Sequence, residues 1–305
     1  MGQTIVNEEN LSNMKFKRNV VRVGDYLQQS GNQVEKEGTE GLEISGIPSG
    51  FKPLDELTGG WHGSDLILIA GRSSMGKTSL AVSMMVNTSI KQGIPAAIFS
   101  LESSKKRILH RILSNICDIE VQKISNEDFN EEEEKRFCKG LKMLEDVPLF
   151  LDDTPGLSVE EFIKKGQKLI SEDGVKIIMI DYIQLMTIHG IPFSSRPEEL
   201  ALVIRALKSF AMEYDVPIIA LSQISRDSQG PEGKRPQLSD LKRYINLEED
   251  TDMVCFVYRP ECYHIYTDPD GNDMHGIAQI ILAKNRNGAK GDVNLRFAEE
   301  CMKFL

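Results

Sequence analysis

Eight consecutive residues, Gly71-Arg-Ser-Ser-Met-Gly-Lys77-Thr78, constrain this chain more than any other feature. They follow an apolar run at residues 66–70 and lead into a helical stretch at 78–92, the setting in which a glycine-rich loop cradles phosphate. Glycines let the backbone curl so that several N–H groups point at one anion. The helix that leaves the loop adds a partial positive charge at the same place. Gly71, Ser73, Ser74, Met75, Gly76, Lys77, Thr78 and Ser79 are therefore the candidate phosphate-binding residues. Within this set, Lys77 acts as a point charge on the outer phosphates and the Thr78 hydroxyl as a ligand for Mg²⁺. The four fixed positions match by chance in roughly one chain in a hundred of this length. With the strand before and the helix after, a merely flexible glycine turn is set aside.

A phosphate loop needs a sheet behind it. Short, continuous apolar runs recur at 66–70, 96–99, 149–151, 177–180, 218–221, 254–258 and 277–283, as in strands covered on both faces. Helical stretches at 78–92, 159–170 and 200–214 separate the earlier runs, so the expected class is α/β: a mainly parallel central sheet flanked by helices. From Met253 onward the runs crowd together without helices, and antiparallel strands are expected at that end. Ligands of open parallel sheets lie beyond the carboxyl ends of the strands. Read to their ends, four runs deliver Ser100-Leu101-Glu102, Asp181, Ser222-Gln223, and Lys284 with Arg286 toward the side of the phosphate loop. Asp181, closing the run 177–180, has the form of a Walker B acid that holds Mg²⁺. Glu102 is the candidate to orient the attacking water, and Gln223 to sense the terminal phosphate. Any one of them alone can equally be a strand-end polar group facing solvent. Lys284 and Arg286 come late and stand apart; they form either a surface basic turn or an arginine finger serving the nucleotide of the next subunit. The second reading requires a homo-oligomer.

The rest of the chain bounds the possibilities. Residues 1–19 read as a disordered tail and 20–43 as a linker with one helical stripe (Val20, Val23, Leu27, Val34). That stripe packs either on its own domain or on a neighbouring subunit, and residues 44–305 form the phosphate-loop domain. Glu131 to Glu134 read as the solvated start of a helix capped by Asn130. The five cysteines form no Cys-x-x-Cys pair, which argues against a zinc or disulfide framework and fits reduced thiols in a cytoplasm. No apolar run approaches the roughly 18 residues of a membrane span. The net charge of -10 counts against nucleic-acid binding by the surface as a whole, so any DNA contact falls to a local basic patch or a ring of small ones.

Residues 44–297 resemble the C-terminal RecA-like motor domain of the DnaB-type replicative DNA helicases. The resemblance rests on an ordered succession: Gly46-Ile-Pro-Ser-Gly-Phe51 with Leu54-Asp55, the phosphate loop, Phe99-Ser-Leu-Glu102, Ile180-Asp-Tyr-Ile-Gln-Leu185 and Leu221-Ser-Gln223. Lys234-Arg-Pro236, Ser239-Asp-Leu241 and Lys284-Asn-Arg-Asn-Gly288 complete it. It implies a RecA-like phosphate-loop NTPase core working with ATP and Mg²⁺ as a hexameric ring on single-stranded DNA, with a helicase loader or primase as further partner. Lys77 and Thr78 then bind phosphates and Mg²⁺, Asp181 is the Walker B acid, Glu102 the catalytic carboxylate and Gln223 the sensor. Arg111 lies against the nucleotide base, and Lys284 and Arg286 are fingers supplied in trans. Two departures stand out. The family carries an N-terminal helical domain, whereas this sequence begins almost at the linker, so that domain is either cut away or lacking. The family's channel loop reads Arg-Glu-Ser-Gly; here it is Lys242-Arg-Tyr-Ile245. Lys242 and Arg243 remain candidates for DNA phosphates, and Tyr244 either stacks on a base or packs. The competing expectation is a RecA-like ATPase that serves as a recombination or regulatory switch without unwinding.

Overall fold

The computed structural model of the chain describes residues 44–190, 192–224, 235–241 and 247–305. The tail, the linker stripe and the Lys242, Arg243 and Tyr244 loop lie outside the described residues, as does Lys234. Among the described residues nine strands form one sheet in the order β3-β2-β4-β5-β1-β6-β7-β8-β9. They are β1 Leu66–Gly71, β2 Ala96–Ser100, β3 Leu149–Asp152, β4 Ile177–Asp181, β5 Ile218–Gln223, β6 Met253–Tyr258, β7 Ile277–Asn285, β8 Gly291–Ala298 and β9 Lys303–Phe304. Helices α1 Lys52–Thr58, α2 Lys77–Met85, α3 Lys105–Cys117, α4 Val121–Asn126, α5 Glu131–Leu144, α6 Val159–Asp173, α7 Arg196–Tyr214 and α8 Leu247–Asp250 connect them.

The expected parallel core is present. β1 lies between β5 and β6, β2 between β3 and β4, and β4 beside β5, all parallel. Every residue of β1, β2, β4 and β6 is buried, which is why these strands read as unbroken apolar runs. The C-terminal end differs from expectation in two ways. The antiparallel strands expected there are present as β7, β8 and β9, but the reversal comes one strand later than the run from Met253: β6 pairs in parallel with β1, and the direction first changes at β7. β8 was not visible as a continuous run because it alternates, with Val293, Leu295 and Phe297 inward and Asp292, Asn294 and Arg296 outward. One covered face requires only period-two patterning.

The helices follow their local chemistry. Asn130 and Glu133 form a reciprocal cap on α5: Asn130 Oδ1 accepts from Glu133 N at 2.9 Å, and Glu133 Oε2 from Asn130 N at 3.0 Å. Ser195 caps α7, which begins four residues earlier than its apolar stripe. The helix expected over 78–92 is α only to Met85 and continues as a π-helical turn, Val86–Lys91. This turn grips the loop that begins the domain: Asn87 Nδ2 donates to Ser49 O at 3.3 Å and Thr88 Oγ1 to Pro48 O at 3.2 Å. Asp55, 3% exposed, closes that loop by accepting Ser49 N at 2.7 Å and Gly50 N at 3.1 Å. Gly50 has φ +80, and a Cβ there would stand 2.4 Å from Asn87 Cβ, so glycine is required on both counts. The Gly46-to-Phe51 motif is thus a clasp that holds the outgoing end of the phosphate-loop helix.

Candidate nucleotide site

Beyond the carboxyl ends of the parallel strands lies a cavity of about 490 Å³. Sheet register brings the candidate residues to it: Gly71 stands opposite Gln223, and Ser100 opposite Asp181. Leu101 N donates to Asp181 O at 2.6 Å, which ties the exit of β2 to the end of β4 and sets Glu102 beside Asp181. Ser73, Ser74, Gly76, Lys77, Thr78, Ser79, Glu102, Arg111, Asp181 and Gln223 all line this one cavity. Of the phosphate-loop candidates, two stand back from it. Gly71 is the last residue of β1, and the Met75 side chain is packed in the hydrophobic core. Gly76 opens α2 with φ +92, a conformation that strains any side chain, and a Cβ on it would also crowd the Phe304 ring at 3.2 Å.

Charge is concentrated here. Lys77 Nζ reaches back to donate to Arg72 O at 2.9 Å. Burial lowers its pKa, against the pull of Asp181 and Glu102. Thr78 Oγ1 donates to Asp181 Oδ2 at 2.7 Å. Burial pushes the Asp181 carboxyl above its ordinary value; the Thr78 bond opposes this, Glu102 adds to it, and Arg111 and Lys77 oppose it. A hydroxyl and a carboxylate in contact, both hard oxygen donors, fit Mg²⁺. Gln184 fixes the end of β5 from the side: its Nε2 donates to Ser222 Oγ at 2.8 Å and to Gln223 O at 3.2 Å.

Lys284 and Arg286 do not reach this side of the sheet, contrary to the strand-end reading. β7 runs antiparallel to β6, so its carboxyl end lies beside Met253 and Val254, at the amino end of the parallel strands. Arg286 bonds to Asp252, whose carboxylate accepts from Leu66 N at the start of β1. Five residue steps along β1 at about 3.3 Å each put this end roughly 17 Å from Gly71. Within one chain the two groups are remote from Lys77.

The same change of direction hid residues that do belong to the cavity. β6 runs with β1, and its exit delivers Arg259, 4% exposed. Arg259 bonds to Glu261 at 2.5 Å and lies over the Phe297 ring at 4.4 Å. β8 also runs in β1's direction and brings Phe297, Glu299 and then Met302 to the cavity. Applying the strand-end rule to 254–258 would have found Arg259; alternation at 291–298 would have found the others. Tyr182, Ser103 and Arg107, beside residues already singled out, complete the lining.

Comparison with known proteins agrees with this arrangement. The model of the DnaB-like helicase C-terminal domain family matches residues 46–305. The chain is similar to the replicative DNA helicase DnaC of Bacillus subtilis, 36% identical over 283 residues that cover 93% of this chain and 61% of that protein. It is 39% identical over 263 residues to a probable replicative DNA helicase of Trieres chinensis, covering 86% of this chain and 57% of the relative. A solved structure described as a DnaB-like replicative helicase and its interactions with primase superposes with TM-score 0.83 at 32% identity, over 98% of this chain and 70% of that one. A solved ATPase domain matches with TM-score 0.84, also at 32% identity, over 94% of this chain and 99% of that one. The chain spans less than two thirds of the length of these curated relatives. Among the described residues no helix is long and apolar enough to cross a membrane.

Proposed function

The chain belongs to the DnaB-like helicase family, and from that premise we propose that it is the ATP-hydrolysing motor of a ring-shaped replicative helicase. It translocates on single-stranded DNA and thereby unwinds the duplex. One observation carries the reading: Lys77, Thr78, Asp181, Glu102 and Gln223, from four separate strand ends, line a single cavity. Lys77 neutralises the outer phosphates of ATP, and the N–H groups at the start of α2 hold the remainder. Thr78 and Asp181 would hold Mg²⁺, which would supply positive charge to neutralise the phosphates of ATP. Glu102 orients and polarises the attacking water. Gln223, held by Gln184, reports the terminal phosphate to the DNA-facing side. Arg111 offers its guanidinium to the base, with Phe297 and Met302 as apolar neighbours in the same cavity.

Residues 44–305 are the motor in this reading, 20–43 the linker that docks on an adjacent subunit, and 1–19 a tail. Lys284 and Arg286 serve the nucleotide of the next subunit. Their placement at the far end of the sheet from their own Lys77 favours that role over service in cis, and it makes the working unit an oligomer, a hexamer by family. Lys242, Arg243 and Tyr244 are the proposed grip on single-stranded DNA, primase or a helicase loader the further partner, and the cytoplasm the compartment. The test is ATP turnover with and without single-stranded DNA, together with strand displacement at low salt. Stimulation by the strand with displacement of the duplex is expected. Turnover indifferent to DNA and no displacement would replace this reading with that of an ATPase switch.

A further inference from the structure

Both proposed finger side chains are tied to one short stretch of backbone. Lys284 Nζ donates to Thr251 O at 2.6 Å. Arg286 donates from its backbone N to Asp252 O at 3.0 Å, from Nη1 to Asp252 Oδ1 at 3.3 Å, and from Nη2 to the carbonyl of Glu249. Asp252 is 5% exposed and is held more tightly by others: its Oδ2 accepts Lys208 Nζ at 2.6 Å and Leu66 N at 2.8 Å.

The unequal division of this carboxylate has a consequence. A guanidinium that leaves a buried carboxylate with no other cation strands an uncompensated charge, which is strongly unfavourable. Lys208, itself anchored to Ser64 O at 2.9 Å, removes that obstacle. Oδ2 carries the short bonds, and Oδ1 holds Arg286 by a long one on a side chain that is 45% exposed. The arginine is oriented, yet it can depart while the carboxylate stays neutralised.

We infer that Asp252 is the positioning residue for Arg286. It holds the guanidinium at the amino end of β1 and β6, poised toward the nucleotide of the adjacent subunit, and Lys208 keeps the carboxylate paired once the arginine has moved. This inference rests on the reading of Arg286 as a finger in trans. Since Asp252 and Arg286 share a chain, a defect at Asp252 is felt in the neighbour's site while the defective chain's own cavity is intact.

The experiment is steady-state ATP turnover by full-length Asp252→Asn, alone and mixed with Lys77→Ala. Asparagine keeps an acceptor for Leu66 N and loses the charge. Alone, the variant is expected to turn over about 10- to 100-fold more slowly, as misplacement of a reacting group costs, with KM for ATP within about twofold. Mixed with Lys77→Ala chains, which donate sound fingers, it recovers activity. The double variant Asp252→Asn/Arg286→Ala is no slower than Arg286→Ala, because two residues acting through one interaction are not additive. Wild-type turnover, additive losses, or no recovery in mixtures where Arg286→Ala does recover would each overturn the inference and leave the finger standing. Failure of Arg286→Ala itself to recover when mixed with Lys77→Ala would overturn the finger, and this inference with it. Should Asp252→Asn not assemble by light scattering, Asp252→Glu, which keeps the charge but displaces it by a methylene, goes through the same mixtures with the same expected recovery.

Discussion

Asp181 meets two opposing demands. In its proposed role it must be ionised to hold a metal, yet it is 2% exposed and stands near Glu102. Burial raises its folded pKa above the ordinary 3.8, so folding favours the protonated form. The stabilisation linked to that proton is complete below the ordinary value and is lost as pH rises through the folded pKa; at neutral pH the ionised carboxylate is a cost to the fold. Asp181→Asn removes the cost while retaining an acceptor for Thr78 Oγ1. Calorimetry without nucleotide should therefore give the variant a higher Tm than the wild type at pH 7, with the difference vanishing below about pH 4. A lower Tm at pH 7 would show that the Thr78 and Lys77 partnerships outweigh burial. Such a trade of stability for chemistry is common at functional sites.

At the scale of elements, strand direction separates what the sequence disclosed from what it withheld. The phosphate loop was legible because phosphate chemistry dictates both residue type and spacing. Glu102, Asp181 and Gln223 were legible because β2, β4 and β5 all run with β1, so reading each to its end lands on one side. Direction itself leaves no mark on a fully buried run. β6 reads the same whether parallel or antiparallel, so Arg259 went unseen and Lys284 and Arg286 were assigned to the wrong end of the sheet. β8 is hidden for the opposite reason: one face is covered and the other open, so it alternates and carries no unbroken apolar run. The Gly46-to-Phe51 motif was recognised by resemblance, and its physical role appeared only when Asp55 was seen to close it. Asp55→Ala orphans two N–H donors, each worth about 1–3 kcal/mol when buried. Relief of the buried carboxylate, whose pKa burial raises, offsets part of this, and a net loss of about 1–4 kcal/mol lowers Tm by roughly 2–15 °C in a domain of this size. A melting curve within a degree of wild type would remove the clasp from the account.

For the whole molecule, the proposed function must reconcile a net charge of -10 with a polyanionic track. The proposed ring would resolve this by confining contact to small basic loops, one per subunit. The same proposed ring would account for the position of Lys284 and Arg286, since a group that cannot reach its own cavity can serve only another chain's. In the proposed ring ATP hydrolysis within the Lys77 cavity is the source of motion, and Glu102 is the residue whose only proposed task there is that hydrolysis. Unwinding of a forked duplex by the wild type and by Glu102→Gln, with ATP affinity measured alongside, tests this most directly. The account predicts that the variant binds ATP within about twofold of wild type, hydrolyses it about 10²- to 10⁴-fold more slowly, and opens no fork. A Glu102→Gln protein that hydrolyses ATP and unwinds like the wild type would contradict it.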